Sequence, residues 1–452
     1  MPVEYSDSLF QSKKIYQKSM TQKIKAGLLA AGLGRRMEPL SSNHLPKPMF
    51  PLGGKIPMLS LWVKRFAQCG ITNLSINLSV LGETIQNYYM DGSRFGVTID
   101  YINEIIPTGT LGGICKHSLG RDAISVYQNE VLPDLNPFCG ETLIIPSGDI
   151  VTNITPELIE EMLDIHQQAG AALSMILTPI PWDRRKDFGT ALFKSSEKRS
   201  GQLSCSGQIK QFLEKDPNSP SNLNNASIYI IENEFLKRLD KLRTEANIRR
   251  TNPFYDFGKH VFPAMLNDLA YLKLSKEDIL FGIQYDGEWF DVGNKRDYLN
   301  VNASILDGDI PIELPFEKMI WGYIGYDTLI DFSKVTIKPP VLIGNRCQIE
   351  PGVTLGPYAI IGDGWTIQRG AQIRRSVLWE RYPSYNIQGV MTPLQQREKI
   401  DAHIIQENVV IDQSIIAGGK LQEDIYEKVV YVSSDGKLVI NPINYIPEGP
   451  RA

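Results

Sequence analysis

The chain has 452 residues, too many for one ordinary core, so two or more domains are expected. A net charge of -4 and a pI near 5.9 leave no electrostatic footprint for nucleic acid, and no apolar run is long enough to cross a bilayer. Cys69, Cys115, Cys139, Cys205 and Cys347 form no Cys-x-x-Cys pair, and His44, His117, His166, His260 and His403 never pair at ligand spacing, which points to free thiols in a reducing compartment and disfavours zinc.

Residues 1–23 are polar, with scattered lysines and no apolar segment after a basic start, and read as a flexible extension of a cytoplasmic protein. An apolar run of strand length, Ile24 to Ala31, follows, and Gly32-Leu33-Gly34 then makes a tight turn whose amides can approach phosphate oxygens. Arg35 and Arg36 come next. Lys47 stands between Pro46 and Pro48 on a stiffened backbone, so its ammonium can be aimed with less entropy to lose. Two arginines and a lysine close behind a glycine turn suit a triphosphate. The turn is neither a Walker loop nor a dinucleotide fingerprint, because Gly-Lys-Ser/Thr is missing and Met37 stands where a third glycine or alanine belongs.

From Ile24 to about Leu306, short aliphatic runs alternate with amphipathic stretches, the rhythm of an α/β domain with a mostly parallel sheet. Ligands of such sheets bind beyond the carboxyl ends of the strands, where Gly32, Gly34 and Asp149 would each fall. The catalytic domain is placed at 24–310 and a Pro-containing connector at 311–330. At 331–452 the period becomes six. Ile337, Ile343, Ile349, Leu355, Ile361, Ile367 and Ile373 keep one register, and Val335, Val341, Cys347, Val353, Ala359, Trp365 and Ala371 run two places ahead. This predicts a parallel β-helix of roughly three coils, interrupted by a loop at 380–405 and closed by a hairpin around Asp435-Gly436.

The segments LAAGLGRR, PLS and PKP resemble the signature of the sugar-1-phosphate nucleotidyltransferases. IPTGTLGG, IIPSGD, FLEKD, NNASIYI, DFGKHVFP and WFDVGNKRDYL come after them in that family's order, so the resemblance covers most of the chain. It implies a Rossmann-like catalytic domain, a C-terminal left-handed β-helix, and attack of a sugar-1-phosphate on the α-phosphorus of a nucleoside triphosphate. Ala31, Gly32, Gly34, Arg35, Arg36, Lys47, Gly109 and Thr110 would line the nucleotide, with Arg36 clamping the β and γ phosphates and Lys47 neutralising charge near the α-phosphate. Asp149 and Asp291 would hold Mg²⁺, which favours hard carboxylate oxygens; the plainer alternative is that they cap a helix and a turn. Gly189, Glu214, Lys215 and Asn225 would hold the sugar phosphate, Lys215 joining Arg36 and Lys47 as a catalytic charge. Two departures stand out: Asp216 replaces the family's proline, and Ser227 its glycine. An insertion at 116–141 adjoins the expected nucleotide mouth.

Among the family, mannose-1-phosphate with GTP is the first expectation, and glucose-1-phosphate uridylyl-, thymidylyl- or adenylyltransfer the alternative. A noncatalytic relative, of the kind found among translation initiation factor subunits, should have lost the catalytic charges that this chain keeps. An acyltransferase would need a histidine base between coils, and His403 alone is available. No nucleic acid or membrane partner is expected; self-association through the β-helix is.

Overall fold

A computed structural model describes residues 24–43, 45–79, 81–104, 109–117, 142–248, 256–267, 278–380, 403–417, 420–421, 425–427, 429–434 and 437–442. The extension at 1–23, most of the 116–141 insertion, nearly all of the 380–405 loop and the Asp435-Gly436 turn lie outside them.

The N-terminal part is mixed α/β, built on a nine-stranded sheet. Its parallel half runs Thr98–Asn103, Asn73–Leu78, Ile24–Leu29, Thr142–Pro146. Leu223–Glu232 then runs antiparallel, followed by Leu173–Pro179, Leu280–Tyr285, the reversed Leu203–Glu214 and Gly189–Lys198. Ile24–Leu29 is buried along almost its whole length, as expected of a central parallel strand covered on both faces. Helix Pro156–Gln168 starts with proline in its first turn and is capped by Thr155, whose hydroxyl accepts from Leu158 N–H. Asn294 likewise caps helix Lys295–Asp307 by accepting from Asp297 N–H at 3.0 Å. Thr155 and Asn294, and not Asp149 and Asp291, are therefore the caps of the helices that come next.

In the C-terminal part the strands pair in parallel with the next strand of the same side, 18 positions on in the central circuits, as in Val341↔Ala359, Gln348↔Thr366 and Thr354↔Gln372. Three sheets result, forming a three-sided column whose interior holds the residues of both six-residue registers. Two of the sheets have five strands, so the chain completes five circuits instead of roughly three. The period hid two of them for different reasons. The first circuit starts at Gly322, inside the connector, where the strands Gly322–Ile324 and Leu329–Ile330 are only half-buried or exposed and so lack an apolar rhythm. The last comes after the break, where pairing resumes with Trp365↔His403. Val429–Ser434 and Lys437–Pro442 end the column as an antiparallel pair. His403 is half-buried with its ring tilted against Trp365 at 4.9 Å.

Cys69, Cys115, Cys205 and Cys347 are free thiols. Among the described residues no helix is long and apolar enough to cross a membrane.

Candidate active site

The carboxyl ends of Ile24–Leu29 and Thr142–Pro146 open a crevice. Gly148 N–H donates to the Leu29 carbonyl at 2.8 Å, which brings the segment ending in Asp149 under the glycine turn. A cavity of about 320 Å³ lies there, lined by Ala31, Gly32, Gly34, Lys47, Thr110 and Asp149 among others. Gly34 takes φ 61, and a Cβ on it would come within 3.1 Å of Ser41 Cβ and 3.5 Å of Lys47 Cβ. The left-handed φ and the close approach to Ser41 are what call for glycine here. The short turn Lys47–Met49, entered from the extended Pro46, points Lys47 at Asp149, with which it forms an ion pair.

Asp291 arrives from 142 residues later through a pair of three-residue strands, Ile150–Thr152 and Trp289–Asp291, in which Asp291 sits opposite Ile150. Val292 N–H also donates to the Asp149 carbonyl at 3.1 Å. Burial pulls the Asp149 carboxyl up, but Lys47 and the Ser147 hydroxyl outweigh it and hold it below the usual range. Asp291 goes the other way: burial and the neighbouring Asp149 raise it to about 6, against the opposing pull of Lys47 and Arg36. Arg36 is exposed, in the single-turn helix Arg35–Met37, and its guanidinium lies against Gly293, where an added Cβ would be 2.8 Å from Nη2. Arg35 is exposed beside it.

The sugar-side candidates gather next to this cluster. Glu214 pairs across the sheet with Gly189, and a Cβ on Gly189 or Gly258 would fall within 2.6 or 2.5 Å of its Oε2. Burial and Asp256 push the Glu214 carboxyl up, opposed by Lys215 and Lys259. Lys215 is exposed, with φ 55 and its N–H donated to the Phe188 carbonyl at 3.1 Å. Asn225 donates to the Tyr229 hydroxyl at 2.8 Å and accepts from Ser227 N–H at 3.1 Å. The Ser227 carbonyl accepts from Ser147 N–H at 2.9 Å, joining this strand to the Asp149 turn. Thr110 reaches the sugar side too, its hydroxyl accepting from Phe257 N–H at 3.2 Å, while Gly109 opens the helix Gly109–His117.

Ser227 has φ 57, the left-handed region that the glycine of the resembled motif would occupy without strain. A β-branched residue there is expected to be costly: Ser227→Val should lower stability by about 2 kcal/mol in denaturant titration, with Ser227→Gly nearly neutral. Equal stability of the two variants would show that the backbone at this position is unstrained.

Several residues of the site lay outside the motifs. Asn77 accepts from Ala30 N–H at 2.6 Å and donates to Glu104 Oε1 at 2.7 Å, and both line the cavity although Glu104 is buried. Their signal in the sequence was polarity at the carboxyl ends of two apolar strands, the edge at which ligands of such sheets bind. Gly113, Ser147, Asp256 and Gly258 were missed as well. At the opposite end of the sheet a cleft of about 450 Å³ is lined by Thr142, His166, Glu232, Arg238 and Asp278. Arg238 is paired there with Asp278, and His166 Nε2 is bonded to Glu232 at 3.0 Å, so the cleft offers phosphate little.

Clustered cations, two adjoining carboxylates and a glycine turn at the carboxyl edge of a parallel sheet define a class, proteins that handle polyphosphates. A family model described as nucleotidyl transferase matches residues 25–308, and the chain belongs to that family, as an enzyme of the sugar-1-phosphate nucleotidyltransferases. A UTP--glucose-1-phosphate uridylyltransferase of Synechocystis sp. is 27% identical over 363 residues, covering 79% of this chain and 83% of that protein. A glucose-1-phosphate adenylyltransferase of Bacillus cytotoxicus is 27% identical over 411 residues, 89% of this chain and 94% of its own length. A solved Bacillus anthracis structure, provisionally called a glucose-1-phosphate thymidylyltransferase, overlaps 64% of this chain and 97% of its own at 18% identity and a TM-score of 0.46, too loose a likeness to bear on the reaction or its substrates.

Proposed function

We propose that this enzyme joins glucose-1-phosphate to a nucleoside triphosphate whose base carries a ring N–H, with UTP the first candidate, releasing pyrophosphate. The observation that carries the reaction is the pairing of Lys47 with Asp149 on the cavity wall, with Asp291 close enough to feel both of them and Arg36. An oxygen of the sugar phosphate attacks the α-phosphorus, the new phosphoanhydride forms, and the bond to the β-phosphate oxygen breaks with pyrophosphate leaving. Arg36, exposed over Gly293, clamps the outgoing phosphates; Lys47 offsets the charge of two phosphates crowding together; Lys215 guides the sugar phosphate. Glu214 and Asn225 accept from and donate to sugar hydroxyls, and Gly189 leaves room for the ring.

Asp149 and Asp291 would hold Mg²⁺, and two carboxylates fit an ion that keeps waters and substrate phosphates for its remaining positions. The raised Asp291 carboxyl marks negative charge that the protein itself does not fully balance. When bound, the ion supplies positive charge to the phosphate oxygens. The column is read as a left-handed parallel β-helix, the handedness resting on the resemblance.

The sugar follows the named relatives, which act on glucose-1-phosphate. The base follows Glu104. A carboxylate accepts hydrogen bonds and donates none, so uracil or thymine N3–H and guanine N1–H suit it through the ring edge, whereas adenine N1 and cytosine N3 present lone pairs and those bases could meet it only through their exocyclic amines. Mannose-1-phosphate with GTP stays as the second reading because guanine meets Glu104 equally well. Pyrophosphate release should be measured for GTP, UTP, dTTP, ATP and CTP against glucose-, mannose- and N-acetylglucosamine-1-phosphate. UTP, dTTP or GTP should dominate, and preference for ATP or CTP would overturn the pairing of Glu104 with a ring N–H. Glu104→Gln, which adds a donor, should shift kcat/KM towards ATP by about 10- to 100-fold relative to UTP.

A further inference from the structure

The segment that carries Lys47 is gripped from two sides. After the Lys47–Met49 turn the chain passes through Phe50, Pro51 and Leu52 to Gly53, Gly54 and Lys55 before helix Met58–Gln68. On one side stands Lys295–Asp307, the helix that begins four residues after Asp291. From it Tyr298 donates its hydroxyl to the Pro51 carbonyl, and Asn302 Oδ1 accepts from Gly53 N–H at 2.8 Å.

The C-terminal column makes the other side of the grip. Trp379 packs edge-on against Phe50 with centroids 4.9 Å apart and against Tyr298 at 5.9 Å, and its indole N–H donates to the Tyr298 hydroxyl at 2.9 Å. All three rings are buried. Trp379 is itself fixed from within the column, because Trp365 donates its indole N–H to the Trp379 carbonyl at 2.9 Å. Lys55 Nζ reaches Asp363 at 2.7 Å and Glu380 at 3.0 Å, both on the column.

Phe50 N–H donates to the Lys47 carbonyl at 3.1 Å, so the ring that Trp379 holds belongs to the turn that aims the lysine. The same three-ring contact bears on the helix behind Asp291. We infer that Trp379 is a positioning residue for Lys47, which makes the column a structural part of the catalytic site. Trp379 lies outside the cavity and acts through Phe50. A charge aimed at a transition state tolerates little displacement, so loosening it lowers kcat more than it weakens ground-state binding. The inference rests on the proposed role of Lys47.

Three variants and one double variant test it: Trp379→Leu, Phe50→Leu, the two combined, and Ile411→Ala, which opens the column's interior away from Phe50. Trp379→Leu and Phe50→Leu should each lower kcat about 10-fold with KM for the triphosphate within about threefold, and the double variant should be little worse than either. Ile411→Ala should keep kcat. The second readout needs no turnover: acetylation of Lys47 by acetic anhydride, normalised to the exposed Lys318 and located by mass spectrometry. It should quicken several-fold in Trp379→Leu and stay unchanged in Ile411→Ala. Unchanged kcat and labelling in Trp379→Leu, multiplicative losses in the double variant, or an equal loss in Ile411→Ala would each overturn the inference. Altered labelling from a protein without turnover would instead leave the positioning intact and remove the proposed reaction. If Trp379→Leu does not fold, Tyr298→Phe, which removes only the shared hydroxyl, takes its place with a smaller loss of the same kind.

Discussion

Lys47→Ala is expected to lower kcat by roughly 10²- to 10³-fold, the loss that accompanies removal of one preorganised charge from a site of developing negative charge. Two consequences of the geometry add together here. The phosphates lose their neutralising ammonium, and Asp149 loses the partner that holds its carboxyl low. With Asp149 and Asp291 then facing each other with less compensation and no competing ammonium, the variant should also need less Mg²⁺ to reach half of its residual rate. Pyrophosphate release titrated with Mg²⁺ measures both effects. Turnover within a few-fold of the parent enzyme would remove Lys47 from the mechanism.

Asp291→Asn should have an opposite pair of effects, loss of most activity and a gain in stability of the protein without metal or substrate. The sign comes from the carboxyl being raised to about 6, chiefly by burial and by Asp149. A folded-state value above the unfolded one means that the ionised form is disfavoured in the fold, so this group's contribution is best at low pH and is lost as pH rises through about 6. The melting temperature of Asp291→Asn should therefore exceed that of the parent most clearly above pH 6, and the gap should shrink towards pH 4. Saturating Mg²⁺ should narrow it at neutral pH by stabilising the parent protein alone. A variant less stable than the parent at pH 7 would contradict the charge arrangement. The site then trades stability for reactivity, as functional carboxylate pairs commonly do.

The parts of this site that could be read from the sequence are those whose geometry is local. Gly32-Leu33-Gly34 after an apolar strand, and Pro46-Lys47-Pro48, carry their meaning within a few residues, because turn conformation and backbone stiffness are short-range properties. Asp291 was accessible only through resemblance, since its place depends on pairing two three-residue strands far apart in sequence. Asn77 and Glu104 are single polar residues at the ends of apolar strands, and periodicity alone gives no reason to separate them from edge residues. The six-residue rhythm revealed the column's interior but undercounted its circuits, since Gly322–Ile324 and Leu329–Ile330 are not buried and the rhythm halts after Trp379. Lys55 reaching Asp363 and Glu380 joins residues more than 300 positions apart, which no local pattern encodes.

The resumption of pairing after that halt bears on how such a protein can lengthen. Gln348 meets Thr366 after 18 positions, but Trp365 meets His403 after 38, so the column takes in 20 additional residues of sequence between paired strands and the strands on either side keep step. The entropy of closing such an excursion grows only with the logarithm of its length, about 0.6 kcal/mol for each doubling. This point in the chain is therefore a port in the architecture, where a lineage can graft and rewrite a segment, or an engineer can splice in a reporter, while the registers before and after it continue undisturbed.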